Sequence, residues 1–218
     1  MPGLFETIRV REGKVPFLAR HLARLTASCR ELGVTPPSAD VAARVEAHAS
    51  GDLIVRLMLD ERGERIEART VPPSEPMRIV FSGTRHEAYP HKTTDRGVFD
   101  RARARVVPYR ADEAILMTHD GHLAEGCVTN VFFWLGAELC TPSLDLGVLP
   151  GVGRGRVLEV AWERGITVNE GHFSRTQIQG LPIFLVNAVR GIMEIAVHGE
   201  WRLQKDDRTR ALADRFWG

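Results

Sequence analysis

Lysine is what this sequence has least of relative to its charge. Of the 29 basic residues in 218, only Lys14, Lys92 and Lys205 are lysine; the rest are arginine. Arginine carries charge and binds phosphate at least as well, but its guanidinium stays protonated, whereas an amine can lose a proton and attack a carbonyl. A chain that uses arginine wherever a cation suffices draws attention to the lysines it keeps. Lys14 follows Glu12-Gly13 in an expected turn and Lys205 lies in a charged tail, so both are expected in solvent. Lys92, within Pro90-His91-Lys92-Thr93-Thr94-Asp95-Arg96, lies between a β-rich segment and a helical one. Two readings stand at this point: a surface lysine on a loop, or an amine kept for chemistry.

Other scarcities narrow the class. Three cysteines, Cys29, Cys127 and Cys140, form neither a C-x-x-C pair nor an even-numbered framework, which fits free thiols in a reducing cytoplasm. No apolar run is long enough to span a bilayer, and Met1-Pro2-Gly3 opens no signal-peptide pattern, so a soluble, cytoplasmic protein without a membrane partner is expected. Eight histidines make no H-x-x-x-H or H-E-x-x-H cluster, so no metal site is expected. A net charge of +1 provides no bulk field for nucleic acid.

What is present reads as alternating strand and helix. Residues 4–10 alternate as a strand up to a turn at Arg11-Glu12-Gly13. Leu18, Leu22, Leu25, Cys29 and Leu32 recur at helical steps before Gly33, giving an amphipathic helix over 18–32 with His21 and Arg24 in its first turns. A second helix is expected over 38–49 with Ser38 as its N-cap. Residues 53–59 form an apolar strand with an unexplained Arg56 in its middle, returning over 64–70 after a turn. Val71-Pro72-Pro73-Ser74-Glu75-Pro76 resists both helix and sheet and is the expected linker, dividing a domain over 1–75 from one over 77–218 that carries Lys92. In the second, strands are expected over 77–82, 113–118, 124–134, 138–141, 168–172 and 183–186. Helices are expected over 96–107 and 154–165, with a short helical piece over 174–179.

Several groups suit a phosphorylated ligand. Pro150-Gly151-Val152-Gly153 precedes a helix, whose N-terminus offers unpaired N–H groups and a positive dipole end; it is either an anion cradle or a turn that merely starts the helix. Arg24 is either a phosphate ligand or a solvated face residue. Glu125 heads into the strongly apolar run through Phe133, where a carboxylate needs a partner, either a protonated heterocycle nitrogen or a buried arginine.

The series Phe5-Glu6-Thr7-Ile8-Arg9, His21-x-x-Arg24-Leu25, His91-Lys92-Thr93-Thr94-Asp95-Arg96, Glu125-Gly126-x-x-Thr129-Asn130-Val131-Phe132, Thr141-Pro142, Leu149-Pro150-Gly151-Val152 and Asn187-Ala188-x-Arg190-Gly191 covers nearly the whole chain in one order. It resembles the class IV pyridoxal-phosphate enzymes, a family that includes branched-chain and D-amino-acid aminotransferases and 4-amino-4-deoxychorismate lyase. The H-K-T-T-D-R and N-A-x-R-G forms look closest to the lyase. The resemblance implies an α+β fold of two domains, a small α/β domain and a larger β-rich domain with helices. It implies pyridoxal 5'-phosphate as cofactor, a small-molecule amine as substrate and a homodimer. Lys92 matches the family's lysine that holds the cofactor and moves the substrate proton, and Glu125 its pyridine-nitrogen partner. Arg24 matches the phosphate-binding arginine, while Gly151, Val152, Asn187 and Ala188 match segments closing around the phosphate. Arg56 falls where aminotransferases of the family hold a substrate carboxylate.

Two departures accompany the resemblance. The family's members usually carry a strand before the Gly-x-Phe-Glu-Thr region, which here comes almost at the start, so one edge strand fewer is expected in the small domain. Cys127 stands where a serine is expected. The implied activity is release of pyruvate from 4-amino-4-deoxychorismate to leave 4-aminobenzoate for folate synthesis. The alternatives are an aminotransferase for D- or branched-chain amino acids with a 2-oxo acid acceptor, and an arginine-rich binding module without catalysis, against which the near-neutral charge and the retained Lys92 and Glu125 both speak.

Overall fold

The computed structural model describes residues 2–71, 77–198, 201–202 and 205–218. The expected linker at 71–76 lies outside the described residues apart from Val71. The chain folds as two units, Met1–Ser74 with His91–Asp95, and Glu75–Pro90 with Arg96–Gly218.

In the first unit, β1 (Leu4–Val10), β2 (Leu53–Asp60) and β3 (Gly63–Thr70) form an antiparallel sheet in that order. Helices α1 (Leu18–Leu32) and α2 (Val41–Glu46) complete the unit. Period-two alternation sorts the strands: Leu4, Ile8 and Val10 with Val55, Leu57 and Leu59 join Leu18, Leu25, Cys29, Val41 and Val45 in one core. Arg56 falls at the opposite parity, pairing with Thr7 across β1 and β2, which explains an arginine inside an apolar run. Gly33 ends α1 in the left-handed conformation (φ 66°). Ser38 is not a cap: its N–H and Oγ both donate to Glu64, and α2 starts after Asp40. That bond draws Ser38 toward the sheet and leaves a helix of six residues.

The segment around Lys92 belongs with this first unit, not with the larger one as the linker position implied. The reason is backbone pairing. Phe5 N–H donates to Lys92 O (3.0 Å) and Thr94 N–H to Gly3 O (2.8 Å), while Gly3 N–H donates to Thr94 Oγ1 (2.9 Å). Residues 91–95 thus extend the β1 edge.

The second unit holds a nine-stranded mixed sheet. Its strands are β4 (Met77–Arg85), β5 (Glu113–Met117), β6 (Leu123–Gly126), β7 (Asn130–Leu135), β8 (Glu138–Pro142), β9 (Val168–Gly171), β10 (Ile183–Asn187), β11 (Gly191–His198) and β12 (Trp201–Arg202). The order is β6-β5-β4-β11-β10-β7-β8-β9, with β12 beside β11. Helices α3 (Gly97–Val106), α4 (Val152–Glu163) and α5 (Asp207–Phe216) belong to this unit. The strand expected over 124–134 is broken at Cys127–Thr129, and in place of the helical piece expected over 174–179 Ser174 makes a β-bridge to His122 and turns follow it. Strand β11 and helix α5 were not foreseen. Trp134 on β7 is 1% exposed, so its indole N–H needs a partner; it donates to Thr209 on α5 (2.9 Å), without which about 1–3 kcal/mol would be lost. Arg156 of α4 donates to the main-chain carbonyls of Arg215, Phe216 and Gly218, meeting the negative end of α5 with a cation. No helix among the described residues is long and apolar enough to cross a membrane.

Candidate active site

The predicted site residues fall into two groups, one in each unit. In the first, Lys92 is half-buried, and its Nζ stands 4.7 Å from the centroid of the Phe5 ring. The Arg56 guanidinium stands 4.3 Å from the same centroid, so the sheet face opposite the core brings Lys92 and Arg56 together around one aromatic ring. His91 accepts or donates at Ser28 Oγ (3.1 Å) on α1, fixing the residue before the lysine.

Arg24 is turned toward the strand. Its Nε and Nη2 donate to the two oxygens of Glu6 (2.8 and 2.6 Å), a bidentate pair, and His21 Nδ1 lies 2.7 Å from Glu6 Oε2. Glu6 and His21 are each 1% exposed. Burial alone would raise the Glu6 pKa, but the charges and hydrogen bonds of Arg24 and His21 overcome it and lower the value to about 2. Burial pushes the His21 pKa down, with Arg24 and Lys92 acting in the same direction against Glu6. Glu6 was not singled out from the sequence, although its parity on β1, in step with Leu4, Ile8 and Val10, placed it inward.

The second group is built on β6, β7 and the start of α4. Glu125 is 3% exposed; its Oε1 lies 3.0 Å from His86 Nε2 and accepts the Leu149 N–H (3.1 Å). Among the described residues nothing donates a hydrogen bond to its Oε2. A buried carboxylate with an oxygen in reserve suits a protonated ring nitrogen. Asn130 Nδ2 donates to Leu149 O (2.9 Å), so Glu125 and Asn130 grip both polar groups of one residue. The loop then enters α4 at Gly151, with no side chain capping the helix N-terminus. A Cβ on Gly151 would collide with Asn130 Oδ1, and one on Gly153 would come within 2.8 Å of the Asn187 main chain. Close main-chain approach therefore excludes a side chain at Gly153, and one at Gly151 would have to displace the Asn130 side chain. This approach leaves an uncapped, positively polarised helix end packed on Asn187 and Ala188, which fits a phosphate. Asn187 Oδ1 itself accepts from the amides of Val189 and Arg190, and its Nδ2 donates to Val128 O.

The structure thus brings Lys92 and Arg56 together, Arg24 with Glu6, and Glu125 with the Gly151–Val152 loop and Asn187–Ala188. His86, Asn130 and Glu113 were missed; of these, Asn130 alone stands within a motif that carries the family resemblance. Among the described residues no group of three or more His, Cys, Asp or Glu side chains is arranged to hold a metal ion.

The profile of the amino-transferase class IV family matches residues 3–197. Aminodeoxychorismate lyase from Bacillus subtilis is 43% identical over 61 residues, which is 28% of this chain and 21% of that protein. A Rickettsia felis protein, provisionally named a branched-chain-amino-acid aminotransferase, is 25% identical over 217 residues, spanning 81% of this chain and 70% of its own length. The crystal structure of 4-amino-4-deoxychorismate lyase from Pseudomonas aeruginosa superposes with a TM-score of 0.85 at 27% identity, covering 98% of this chain and 89% of that one.

Proposed function

The chain belongs to the class IV aminotransferase family, a family of pyridoxal-phosphate-dependent enzymes, and from that premise we propose that it is a lyase converting 4-amino-4-deoxychorismate to 4-aminobenzoate and pyruvate. The observation that carries the lyase reading is the 43% identity to the Bacillus subtilis lyase, joined to the H-K-T-T-D-R form around Lys92.

On this reading each residue has a task. Lys92 would hold the cofactor through its Nζ and would serve as the base that takes the proton from the substrate carbon bearing nitrogen. The aromatic ring of Phe5 beneath Nζ limits where that amine travels. Glu125 meets the ring nitrogen with the oxygen that its protein partners leave open. Arg24, held in plane by Glu6, and the amides at Gly151–Val152 with Asn187–Ala188 bind the phosphate. Arg56 takes a substrate carboxylate, for which a planar guanidinium is suited. Bound pyridoxal phosphate would supply the electron sink that makes the carbon acidic enough to release its proton. Departure of the enolpyruvyl group as pyruvate then aromatises the remaining ring. We further take the working enzyme to be a cytoplasmic homodimer, its three thiols free.

The second reading, a D- or branched-chain amino-acid aminotransferase, is favoured by the Rickettsia felis relative and the length of that match. One preparation separates the two. Protein loaded with pyridoxal phosphate is expected to be yellow, to lose that band to borohydride with the label on Lys92, and to release pyruvate from 4-amino-4-deoxychorismate without a 2-oxo acid. The Lys92→Ala variant is expected to release none and retain no label. Yellow protein that is bleached by an amino acid and restored by a 2-oxo acid, with no pyruvate formed, would establish the aminotransferase. Failure to take up the cofactor would overturn both.

A further inference from the structure

Glu113, the first residue of β5, is 1% exposed and belongs to none of the motifs that carry the family resemblance. Its side chain is nevertheless saturated. Oε1 accepts the amides of Ala114 (3.1 Å) and Cys127 (3.0 Å); Oε2 accepts the Val128 amide (3.2 Å) and the Thr129 hydroxyl (3.1 Å). Three of these four donors are consecutive residues of the break between β6 and β7. The same break is closed by Gly126 N–H donating to Thr129 O (2.8 Å). Glycine is required there: a Cβ on Gly126 would overlap Thr129 Oγ1 and come within 3.0 Å of the Glu113 side chain.

The break is where the second group of site residues is joined. Glu125 lies just before it and Asn130 immediately follows it, and these two hold Leu149 from both sides. Val128 O within it accepts from Asn187. Across this irregular stretch one backbone bond to β5 remains, Cys127 N–H to Ala114 O (3.2 Å), and Glu113 adds bonds to three successive residues with one side chain.

We propose that Glu113 is the positioning residue of Glu125: by fixing Cys127, Val128 and Thr129 it sets the direction in which the Glu125 carboxylate presents its open oxygen. The proposal rests on the reading that Glu125 meets the ring nitrogen of the cofactor. Carboxylates that orient a ligand from behind cost about ten- to a hundredfold in affinity when removed from metal sites, and an effect of about tenfold is expected here.

The test is a double-mutant cycle on pyridoxal phosphate affinity, measured by the absorbance of bound cofactor, with Glu113→Ala, Glu125→Gln and the combination. If Glu113 acts through Glu125, Glu113→Ala weakens binding about tenfold in the otherwise natural protein and less than about twofold in the Glu125→Gln background. The Leu185→Ala variant, a fully buried core position of the same unit, controls for lost stability: it is expected to lower the unfolding temperature and leave affinity unchanged. Should Glu113→Ala fail to fold, Glu113→Gln enters the same cycle, with a smaller effect of the same pattern. Equal losses in both backgrounds, or none in either while Glu125→Gln weakens binding, would overturn the proposal and leave the Glu125 reading intact. No loss from Glu125→Gln itself would overturn that reading first.

Discussion

Glu6 and Glu113 are both 1% exposed, yet burial acts on them with opposite outcomes. Glu6 faces a guanidinium and an imidazole, and its pKa falls to about 2. Glu113 receives hydrogen bonds from three amides and a hydroxyl, all neutral, and its pKa is raised because burial outweighs what those dipoles and the charge of Arg103 return. At Glu6 full charges in contact reverse the desolvation, whereas at Glu113 the surrounding dipoles only reduce it. The two sites differ in use accordingly. Glu6 keeps a fixed negative charge that orients a cation, Arg24; Glu113 organises main chain.

The largest break in the comparison is expected from Glu6→Gln. A depressed folded pKa contributes stability that is present above the unfolded value of 4.5 and lost as pH falls toward 2. A shift of that size corresponds to about 3 kcal/mol, so the variant should be destabilised by about that much at pH 7, and the deficit should shrink through the window from 4.5 to 2. Urea denaturation at several pH values reads it directly. A deficit independent of pH would mean that shape, not charge, is what Glu6 supplies.

Gly126→Ala should come next, at about 2 kcal/mol, because the new methyl must displace Thr129 or Glu113 from a hydrogen-bonded position. Combined with Thr129→Ser it should recover little, since the overlapping atom is Oγ1, whose place the serine hydroxyl takes. Combined with Thr129→Ala the overlap is gone, and the two costs should fall short of their sum.

Glu113→Gln is expected to cost about 1 kcal/mol with the opposite tilt. A raised folded pKa means stability fully present below 4.5 and lost as pH rises through the folded value, so the wild-type advantage over this neutral variant should be greatest at and below pH 4.5 and should shrink as pH rises above it. Parallel tilts for Glu6→Gln and Glu113→Gln would remove the distinction between the two carboxylates.

How far the sequence foretold these differences depends on range. Helix α1, its glycine stop and the β2–β3 hairpin were legible because periodicity and turn residues are local. The case for Lys92 rests on the scarcity of lysine and that for Glu125 on its apolar surroundings, and the partners each side chain meets in the fold were not readable from either. The inward parity of Glu6 was readable in retrospect from Leu4, Ile8 and Val10. Glu113 was not: its donors across the strand break lie 14 to 16 residues away, and reading residues 124–134 as one strand concealed that break. The grouping of Lys92 with the first unit was hidden for the same reason, since it depends on backbone pairing between residues 3–5 and 92–94 that no local pattern records. Helix α5 did leave a signal in Asp206 as N-cap and the spacing of Thr209, Leu212 and Phe216, but its many charges read as a solvated tail.

The smallest effect reports on Glu113 from a neighbour. Cys127 donates its amide to Glu113 and its thiol to Phe99 O (3.2 Å), and burial, followed by the charge of Glu113, pushes the thiol pKa up to about 12. The thiol is therefore a reporter of that charge. If Glu113 is ionised in the folded protein at alkaline pH, Glu113→Gln removes a repulsion and raises the thiolate fraction of Cys127. Alkylation of Cys127 at about pH 9, resolved from Cys29 and Cys140 by peptide mass, should then run a few-fold faster in the variant. Cys29 and Cys140, also buried, serve as internal gauges of any general loosening. Acceleration at Cys127 alone reports charge; equal acceleration at all three reports opening of the fold; no change would mean that Glu113 is neutral even under these alkaline conditions, the extreme form of its contrast with Glu6.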